Sequence, residues 1–477
     1  MYRISIFSEL EMTTSYHIGG GVESFASDAP VLRDSRGLPF ISGGALASAF
    51  SKSCSDALLS REWLGIPLNS NTDDGKVSRV IFNDALPLHK QRQSLSVVTE
   101  VRRRNSVNRE TNSCQDDMLF DVEVIPAGAV MLFSCRFDAK NQEEGKQFKE
   151  YIGRYLSGGG SLGGKSRIGL GKWQASKWAC YEYDLCTREG LKDWFLNGRN
   201  CNWHGSTEIL QKINNNLSPI TVDKPTKDNY WTIDCVVVID GLHMSSGSTG
   251  LPIHGEPDQV QATRKKIDTS GTLSDEYIDY GSTILGRLRS TMEFLLRTHL
   301  KSRGVANEQV LKAVPVDNSK SSIDDLADFF GYISKEIQSF GKCGEWCVGE
   351  SKWEDPNTRE ESHIRVDQYQ QHPMDGALFT YEPLIAGTST IRISLPTNDC
   401  QWKRDLIRHA VTFMAMEVIP IAGKGSRGYL GAKIVSVSDN DSGNLLLNAT
   451  CRKSLKEIVA DWARNPCTTS VGRETYV

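Results

Sequence analysis

The stretch Thr111–Phe137 reads TNSCQDDMLFDVEVIPAGAVMLFSCRF, and the stretch Gln370–Leu395 repeats its pattern as QQHPMDGALFTYEPLIAGTSTIRISL. Both contain a hydrophobic pair, a glutamate and a glycine in the same order. The matched residues, each 259 positions apart, are Leu119-Phe120 with Leu378-Phe379, Glu123 with Glu382, and Gly128 with Gly387. A repeat at a fixed spacing indicates that one structural unit occurs twice in the chain.

Other segments of the chain recur in the same order. The glycine-rich segment Ser157–Trp173, SGGGSLGGKSRIGLGKW, corresponds to IAGKGSRGYLGAKIVSV at a spacing of 260. Nearer the N-terminus, SYHIGGG aligns with GLHMSSG, which places His17 on His243 at a spacing of 226. FISGGALASAFSKS aligns with DYGSTILGRLRSTM, with Gly43 on Gly281, at a spacing of 238. A spacing that grows in steps is the result expected from duplication followed by insertions.

The repeat predicts two domains, residues 1–195 and residues 229–477, with a linker over residues 196–228. The linker contains NNNLSPITVDKPTKDN, and its Asn, Pro and Lys content is typical of a connecting segment. A length of 477 residues also suits two or three domains.

Each copy has the same predicted order of elements. A strand with alternating apolar residues, RISIFSELEM or WTIDCVVVID, comes first. A helix follows, and its better example has Ile284, Leu288 and Leu295 near one face and Ser282 or Thr283 as its cap. A second strand region, a second helix (EEGKQFKEYIGRYL or DLIRHAVTFMAMEVIP), the glycine-rich segment and a last strand complete the unit. This order predicts an α+β fold of the ferredoxin-like type.

Composition argues for a cytoplasmic protein that does not act at a membrane. Hydrophobic residues make up 39% and charged residues 24% of the chain, with no apolar run long enough to span a bilayer and no secretory signal at the N-terminus. The formal net charge of −4 excludes a uniformly basic nucleic-acid binder but leaves room for local basic patches. Candidate patches are Arg102-Arg103-Arg104 with Arg109, Lys165-Ser166-Arg167, Arg264-Lys265-Lys266, and Arg287 with Arg289.

The glycine-rich segment contains a literal P-loop pattern, Gly159-x-x-x-x-Gly164-Lys165-Ser166. A P-loop follows a strand and opens a helix, so that helical N–H groups face the phosphates. Here the order is reversed, because the preceding residues are predicted to be helical and those after Arg167 to form a strand. We therefore expect no nucleotide hydrolysis. Glycines with cationic side chains still suit contact with a phosphate backbone.

With these residues in view, the chain resembles the RAMP superfamily of CRISPR-associated proteins. The similarity is to the Cas-seven type backbone subunits of type III effector complexes. It rests in the first copy on HIGGG, SDAPVLRDSRGLPFISGGAL, RVIFNDA, SVNRETNSCQDDMLFDVEVIPAG and the glycine-rich segment. In the second copy it rests on GSTILGRLRS, IRVDQYQQHPMDGALFTYEPLIAG and GKGSRGYLG. Two backbone units in one chain are similar to the tandem subunit of type III-D systems.

The resemblance implies two tandem ferredoxin-like, RRM-like domains, each with a protruding thumb hairpin and insertions. It implies partners as well: the CRISPR RNA guide, the target RNA and other type III subunits, including the large polymerase-like subunit. Such subunits line the guide, and an acidic residue on the loop after the first strand cleaves the target RNA with Mg²⁺ or a similar divalent metal. The alternatives are a catalytically inactive RNA-binding scaffold and a guide-processing endoribonuclease, which His17 would serve.

The resemblance places the catalytic aspartate of the first copy at Asp28, in SDAPV, with Asp34 as a nearby alternative. In the second copy the loop is 12 residues longer (238 − 226), so the equivalent aspartate is ambiguous. Asp258 is the first choice because PDQV resembles DAPV, and Asp268 is the second. A carboxylate there can act as a general base at the ribose 2′-hydroxyl or as a metal ligand.

The expected RNA contacts are spread over both copies. At the first helix the family pattern has a second serine and a lysine that Ser42–Ser48 lacks, so only backbone contacts are expected there. The residues expected to bind RNA are His17, Gly19, Gly20, Gly43, Arg109, Lys165, Arg167, His243, Gly281, Arg287, Lys424 and Arg427.

Two further groups of residues leave alternatives open. Side chains near the thumbs could wedge between bases or belong to the core; these are Met118, Phe120, Met374 and Phe379. Cys343 and Cys347 with His363 are compatible with part of a zinc site, although one loosely spaced cysteine pair is weak evidence.

Replacing Arg167 or Arg427 with alanine should weaken guide binding equally for all RNA sequences, because phosphate contacts carry no base information. Each lost contact should lower the slope of log affinity against log salt by about 0.7–1. Binding titrations at several salt concentrations measure this slope, and an unchanged slope in both variants would argue against a phosphate role.

Overall fold

A computed structural model describes most of the chain. The residues it describes are 1–21, 27–53, 57–65, 75–107, 114–198, 213, 215–221, 230–245, 257–334, 341–367, 369–397, 400–416, 421, 423, 428–441 and 443–445.

The described elements are mixed helices and strands, which agrees with the predicted α+β class. The helices are Gly43–Ser53, Ala57–Leu64, Arg92–Val97, Gln142–Gly158, Arg188–Asp193, Gly281–Ser302, Asn307–Ala313, Asp324–Phe330 and Gln401–Ala415. Short 3₁₀ turns occupy His89–Gln91 and Ser166–Ile168, and Trp194–Gly198 is a π-helical turn. The strands are β1 (Tyr2–Met12), β2 (Val80–Phe82), β3 (Leu86–Pro87), β4 (Glu100–Val107), β5 (Cys114–Val124), β6 (Val130–Ala139), β7 (Gly160–Ser161), β8 (Lys172–Gln174), β9 (Lys177–Asp184), β10 (Ser218–Pro219), β11 (Tyr230–Ile239), β12 (Gln259–Val260), β13 (Thr263–Ile267), β14 (Leu273–Asp279), β15 (Gly331–Tyr332), β16 (Lys342–Cys343), β17 (Cys347–Val348), β18 (Ser351–Thr358), β19 (Glu361–Val366), β20 (Pro373–Glu382), β21 (Leu384–Pro396), β22 (Ala432–Asp439) and β23 (Gly443–Leu445).

The chain divides into two compact units. The first comprises Met1–Arg104, Phe120–Lys227 and Arg264–Glu276. The second comprises Asn105–Leu119, Asp228–Thr263 and Tyr277–Val477.

The first unit has an antiparallel sheet whose central strands are β1 and β6, in the order β9-β1-β6-β2. Numbered along the chain as a β-α-β-β-α-β unit, this is strand order 4-1-3-2, which is ferredoxin-like. The helices Gly43–Ser53 and Gln142–Gly158 cover one face, where Phe50 and Phe148 pack on Ile4 and Phe137 in one core. Asn141 caps the long helix, because its side chain accepts a hydrogen bond from the Glu144 N–H.

The second unit contains the same arrangement of strands. Its sheet runs β22-β11-β21-β18, which is again order 4-1-3-2. The helices Gly281–Ser302 and Gln401–Ala415 contribute Leu288 and Leu406 to its core, beside Trp231 of β11. The predicted helices and strands are therefore present, but Ser282 and Thr283 are not caps: the helix begins at Gly281, and no side chain caps it.

The pairing of the strands corrects one part of the sequence alignment. Tyr16 and Ile125 exchange two backbone hydrogen bonds of 3.1 and 2.9 Å, and His243 and Leu384 exchange two of 3.0 and 2.9 Å. Leu384 is the repeat partner of Ile125, so His243 corresponds to Tyr16 and not to His17. Tyr16 and His243 are 227 positions apart. The buried residues of the first strands agree with this spacing, since Ile4, Ile6 and Leu10 in β1 lie 227 positions before Trp231, Ile233 and Val237 in β11. A one-residue slip would turn every side chain of the strand to the wrong face.

The hairpin β13–β14 lies in the loop that is longer in the second copy, and its portion Arg264–Glu276 belongs to the first unit. There, Ala127 N–H donates to Lys265 O at 3.1 Å, and Ile267 N–H donates to Ala127 O at 2.8 Å. Gly128 has φ +80°, and a Cβ at this position would clash with Ile267 O. This close approach of two backbones explains a glycine here.

Two further observations concern cysteines and membranes. Six described cysteines, Cys135, Cys180, Cys186, Cys235, Cys343 and Cys347, carry free thiols, whereas Cys400 is disulfide-bonded. Among the helices described above, none combines the length and the apolar character needed to cross a membrane.

A buried polar network lies in the second unit. The His243 Nε2 atom lies 3.0 Å from both carboxylate oxygens of Asp279. The Gln261 side-chain N–H donates to Asp279 at 3.1 Å, and the ring of Trp353 lies 5.0 Å from that of His243. Both His243 and Asp279 are only 1% exposed. His243 is therefore a core residue, and the prediction that it contacts RNA is wrong because its ring does not reach the surface.

Asp279→Ala should lower the free energy of unfolding of the second unit by about 3–5 kcal/mol, because it leaves buried polar partners unsatisfied. Hydrogen exchange of β11 amides measures this loss locally. Asp240→Ala is the matched control: its side chain is 76% exposed in its ion pair with Lys433, and it should cost less than about 1 kcal/mol. Equal effects of the two substitutions would contradict the assignment.

Candidate functional site

Asp28 lies on the loop after the first strand and is exposed. One of its carboxylate oxygens, Oδ2, accepts a hydrogen bond of 2.8 Å from the backbone N–H of Asp121 in β5. The next residue, Ala29, forms a parallel bridge with Val122 and donates its N–H to Asp121 O at 3.2 Å. The loop is thus fixed to β5, and the second carboxylate oxygen makes no described hydrogen bond.

Asp258 is held in the same way in the second unit. Its Oδ2 accepts a hydrogen bond of 2.7 Å from the backbone N–H of Thr380 in β20. Gln259, the next residue, pairs in parallel with Tyr381. Thr380 follows Asp121 by 259 positions, which is the spacing of the repeat. Asp28 and Asp258 therefore occupy equivalent places.

The two alternative aspartates are turn residues. Asp268 is in the β13–β14 turn, where its carboxylate accepts hydrogen bonds from the Ser270 hydroxyl at 2.6 Å and from the Thr272 N–H at 2.9 Å. These hydrogen bonds lower the pKa of Asp268. Asp34 similarly accepts the Leu38 N–H at 2.9 Å and pairs with Arg36. Both carboxylates stabilise their own turns, and neither matches the position of Asp28.

Glu123 fixes the loop that carries Asp28. It accepts hydrogen bonds from the Val31 N–H at 2.7 Å, from Arg33 at 2.8 Å and from the Thr99 hydroxyl at 2.7 Å. Burial favours the neutral carboxyl, but these hydrogen bonds outweigh it and lower the pKa of Glu123.

The second unit repeats the hydrogen bond between the threonine and the glutamate. The Thr358 hydroxyl donates to Glu382 at 2.6 Å, and both residues follow Thr99 and Glu123 by 259 positions. The sequence shows that these glutamates are repeated, but it does not indicate their hydrogen-bond partners.

The turn around His17 packs beside the same loop. His17 Nδ1 lies 2.8 Å from Glu123 O, and burial lowers the pKa of the imidazole. Gly19 bridges Val31, and the Gly20 N–H donates to Pro30 O at 3.0 Å. His17, Gly19 and Gly20 are therefore brought next to the Asp28 loop, and the two glycines are exposed at its edge.

The glycine-rich segment contacts the turn that contains His17. The Gly164 N–H donates to His17 O at 2.9 Å. Lys165 has φ 62°, in the left-handed region, and its ammonium lies 5.6 Å from the ring of Phe120, the neighbour of Asp121. Burial and the nearby Arg104 lower the pKa of Lys165. The segment follows a helix and leads through the turn Ser166–Ile168 into β8, so the predicted order of helix, glycine-rich segment and strand is confirmed.

Gly43 and Gly281, two of the residues predicted to bind RNA, are the first residues of their helices. The Gly43 N–H donates to the carboxylate of Asp84 at 2.8 Å, and a Cβ at Gly43 would clash with Phe82 O. A carboxylate therefore occupies this N–H, and RNA contact at Gly43 stays a prediction. Gly281 is buried, and Arg287 is half-buried, with a pKa lowered by burial. Arg109, Lys424 and Arg427 lie outside the described residues.

Several basic runs are neutralised by neighbouring acids. Arg102 is buried and pairs with Glu100 at 2.6 Å. On the β13–β14 hairpin, Arg264 pairs with Glu276 at 2.8 Å. Lys265 and Lys266 also have acidic partners, at 2.8 and 3.2 Å. Glu100 lies on the same strand as Arg102, and Asp275 and Glu276 lie on the strand that faces β13, so these basic residues do not form a free basic patch.

Apolar side chains lie exposed on the strands next to the loop. Leu119 and Leu378 are 63% and 67% exposed, and they follow each other by 259 positions. Met374 and Phe120 are also exposed, whereas Phe379 stacks on His363 at 5.6 Å. The Met118 side chain is outside the described part of the structure. The exposed members suit contact with bases, and Phe379 is a packing residue.

The residues expected for a zinc site and for a Mg²⁺ site differ in how well they could hold the metal. His363 is in β19, where Nε2 lies 3.0 Å from the Tyr429 hydroxyl, and Cys343 is in the separate β15–β16 sheet. Within the described ranges, no three His, Cys, Asp or Glu residues group in a way that could hold a metal. A Mg²⁺ ion needs only one or two carboxylates when substrate phosphates supply the rest. The uncommitted oxygen of Asp28 or Asp258 fits that mode of binding, and the zinc set does not fit.

An exposed carboxylate fixed on the loop after the first strand, beside a glycine-rich segment and exposed apolar residues, defines a candidate nucleic-acid-binding unit. Residues 9–173 match the family model of the RAMP superfamily. This match, which contains Asp28, Glu123 and the glycine-rich segment, supports membership in the CRISPR-associated RAMP proteins and suggests an RNA-binding role. No curated protein sequence matches the chain.

Glu123→Gln should make the stability of the first unit less sensitive to acid. The lowered pKa of Glu123 means that its carboxylate stabilises the folded state above the ordinary value of 4.5, and that this contribution is lost as the pH falls through the lower folded value. The variant should therefore lose less stability on acidification below about pH 4.5. Hydrogen exchange of the amides in residues 27–33, followed as a function of pH, measures this loss of stability. Glu150→Gln, at an exposed glutamate, is the control.

Proposed function

We propose that this chain is a guide-binding backbone subunit of a type III CRISPR effector complex, with two RAMP units, that cleaves target RNA at Asp28 and Asp258. The observation that carries the proposal is the matched pair of exposed carboxylates, each held by a backbone N–H from residues 259 positions apart. Both carboxylates are exposed at the same place in the two copies, which a shared role in cleavage requires.

The arrangement at Asp28 suits cleavage by the ribose 2′-hydroxyl. One carboxylate oxygen is fixed to β5, and the other makes no described hydrogen bond, so it can accept the 2′-hydroxyl proton as the 2′-oxygen attacks phosphorus. The attack breaks the bond from phosphorus to the 5′-oxygen, which leaves with a proton from water, and the other product ends in a 2′,3′-cyclic phosphate. Lys165, held near Phe120, supplies positive charge close to the loop for the phosphate oxygens. A bound Mg²⁺ would neutralise charge that develops on the phosphate, with Asp28 or Asp258 among its ligands.

Binding of the guide uses the backbone and the apolar surface near the same loop. The exposed Gly19 and Gly20 permit close approach of a phosphate backbone. Leu119, Leu378 and Met374 present apolar surface that can separate neighbouring bases.

The remaining partners follow from this role. We propose contacts with the CRISPR RNA, the complementary target RNA and other type III subunits, including the large polymerase-like subunit, in the cytoplasm. A guide-processing activity through His17 has less support, because its Nδ1 faces a backbone carbonyl and its ring is buried. The scaffold role stays the competing proposal, and the cleavage experiment separates the two.

In the assembled complex, Asp28→Ala should abolish one set of target RNA cuts and Asp258→Ala the other. A lost general base or metal ligand lowers the rate of each cut by at least about 100-fold, while guide and target affinity stay within twofold because the chemical step alone is affected. Mapping the cut positions on a labelled target and measuring binding separately tests both parts.

Asp268→Ala is the matched control, since its carboxylate holds the β13–β14 turn and should leave both sets of cuts in place. Cuts that persist at the normal rate in the Asp28→Ala/Asp258→Ala double variant and resist metal chelation would make the chain a scaffold.

A further inference from the structure

A cleft lies on the outer face of the first unit's sheet, the face opposite the helices. Its volume is about 560 Å³. Central strands form its floor through Ser5, Ser134 and Arg136, and Phe40, Ile81 and Trp194 are among its walls. Phe40 lies in the segment between β1 and the first helix that also carries Asp28, whereas the other five residues lie outside that segment.

Arg136 has an unusual environment for a half-buried cation. Its Nε atom is buried and has no hydrogen-bond partner in the described structure, and no described carboxylate pairs with its guanidinium. Its neighbours across the sheet are Ser5 on β1 and Ile81 on β2, which carry no charge. A buried guanidinium N–H without an acceptor is unfavourable, so a bound anion that pairs with the guanidinium would complete this site.

Other arginines on outer sheet faces show what is missing at Arg136. Two residues along the same strand pair, Arg3 lies opposite Asp138 and makes two hydrogen bonds of 2.5 and 2.8 Å to it. In the second unit, Arg392 lies opposite Asp234, with two hydrogen bonds of 2.7 Å. Each of these arginines has a cross-strand carboxylate, and Arg136 has a serine in that place.

The second unit does not repeat this site. The pair Ser5 and Arg136 corresponds to Thr232 and Ser394 when the strands are matched by their core faces. The cation is therefore a property of the first unit alone, and the repeated fold does not require it.

The walls indicate what kind of anion the cleft would take. Ile81 is 44% exposed beside Arg136, and Phe40 and Trp194 add aromatic surface. The Asn83 side chain donates to the Ser134 hydroxyl at 3.0 Å, which leaves its carbonyl oxygen as an acceptor. A cation, an amide and apolar walls together suit a phosphate that is joined to a flat heterocycle.

The acids at the rim do not neutralise Arg136. The carboxylate of Asp34 is bound by Arg36 and by the Leu38 N–H. The carboxylate of Asp84 accepts the Gly43 N–H. Arg36 is 59% exposed at the rim and adds a second cation.

We propose that this cleft binds a nucleotide, with its phosphate on Arg136 and its base between the apolar walls. The nucleotide is either free or part of an RNA strand, since both offer the same phosphate and base. The site does not include Asp28 or Asp258, so nucleotide binding in this cleft can be tested separately from the proposed cleavage.

The test is a binding titration of the full chain with 5′-AMP, adenosine, inorganic phosphate and the oligonucleotide r(A)4. Arg136→Gln should weaken binding at least tenfold, while Arg154→Gln, which removes an exposed arginine from the helical face, should change it less than twofold. Arg136-dependent binding of 5′-AMP indicates a free nucleotide, and Arg136-dependent binding of r(A)4 alone indicates a nucleotide within a strand.

Ser5→Asp provides a second, sharper variant. It places a carboxylate opposite Arg136 in the way that Asp138 lies opposite Arg3, so it should abolish nucleotide binding without lowering the melting temperature. Equal binding of nucleotides by the natural chain, Arg136→Gln and Ser5→Asp would overturn the proposal. So would adenosine binding as tightly as 5′-AMP, or preferential Arg136-dependent binding of an acidic peptide such as hexaglutamate.

Discussion

The register between the first strand of each unit and its long antiparallel partner is the constraint on which the other features depend. Side chains alternate between the two faces of a strand, so register decides which residues meet the helices and which meet the outer face. In the first unit, the register that puts Ile4 opposite Phe137 in the core also puts Ser5 opposite Arg136 on the outer face. The same strands lead directly into the loop and the β-hairpin that hold Asp28. The hydrophobic core and the polar sites are therefore set by one pattern of backbone hydrogen bonds.

The sequence predicted the features that depend on local pattern. Alternating apolar residues indicated β1 and β11, and helical spacing indicated Gln142–Gly158 and Gly281–Ser302. The fixed spacing of 259 indicated that Glu123 and Glu382 hold equivalent places, and both accept a threonine hydroxyl. The choice of Asp258 over Asp268 also agrees with the geometry of the loops, because only Asp258 is fixed to β20 as Asp28 is fixed to β5.

What the sequence could not provide were partners from distant segments. His17 and His243 share a motif, but strand pairing puts His243 at the place of Tyr16, where Asp279 and Trp353 enclose it. The run Arg264-Lys265-Lys266 suggests a basic patch, yet Asp275 and Glu276 on the facing strand neutralise it. Gly43 suggests a free helix N-terminus, yet Asp84 occupies its N–H. Each of these partners depends on tertiary structure, which no local pattern encodes.

The hairpin segment Arg264–Glu276 has a consequence for how the protein is made. The Gln91 side chain is fully buried, and its N–H group donates to Gly128 O at 3.0 Å and to Asp268 O at 2.8 Å. The second acceptor, Asp268, lies 177 residues after Gln91 in the chain. During translation the ribosome must therefore synthesise and release the chain beyond Glu276 before the first unit can close. Contacts that are so distant in sequence slow folding, so the nascent N-terminal half is exposed to chaperones and proteases for longer than a self-contained domain of its size.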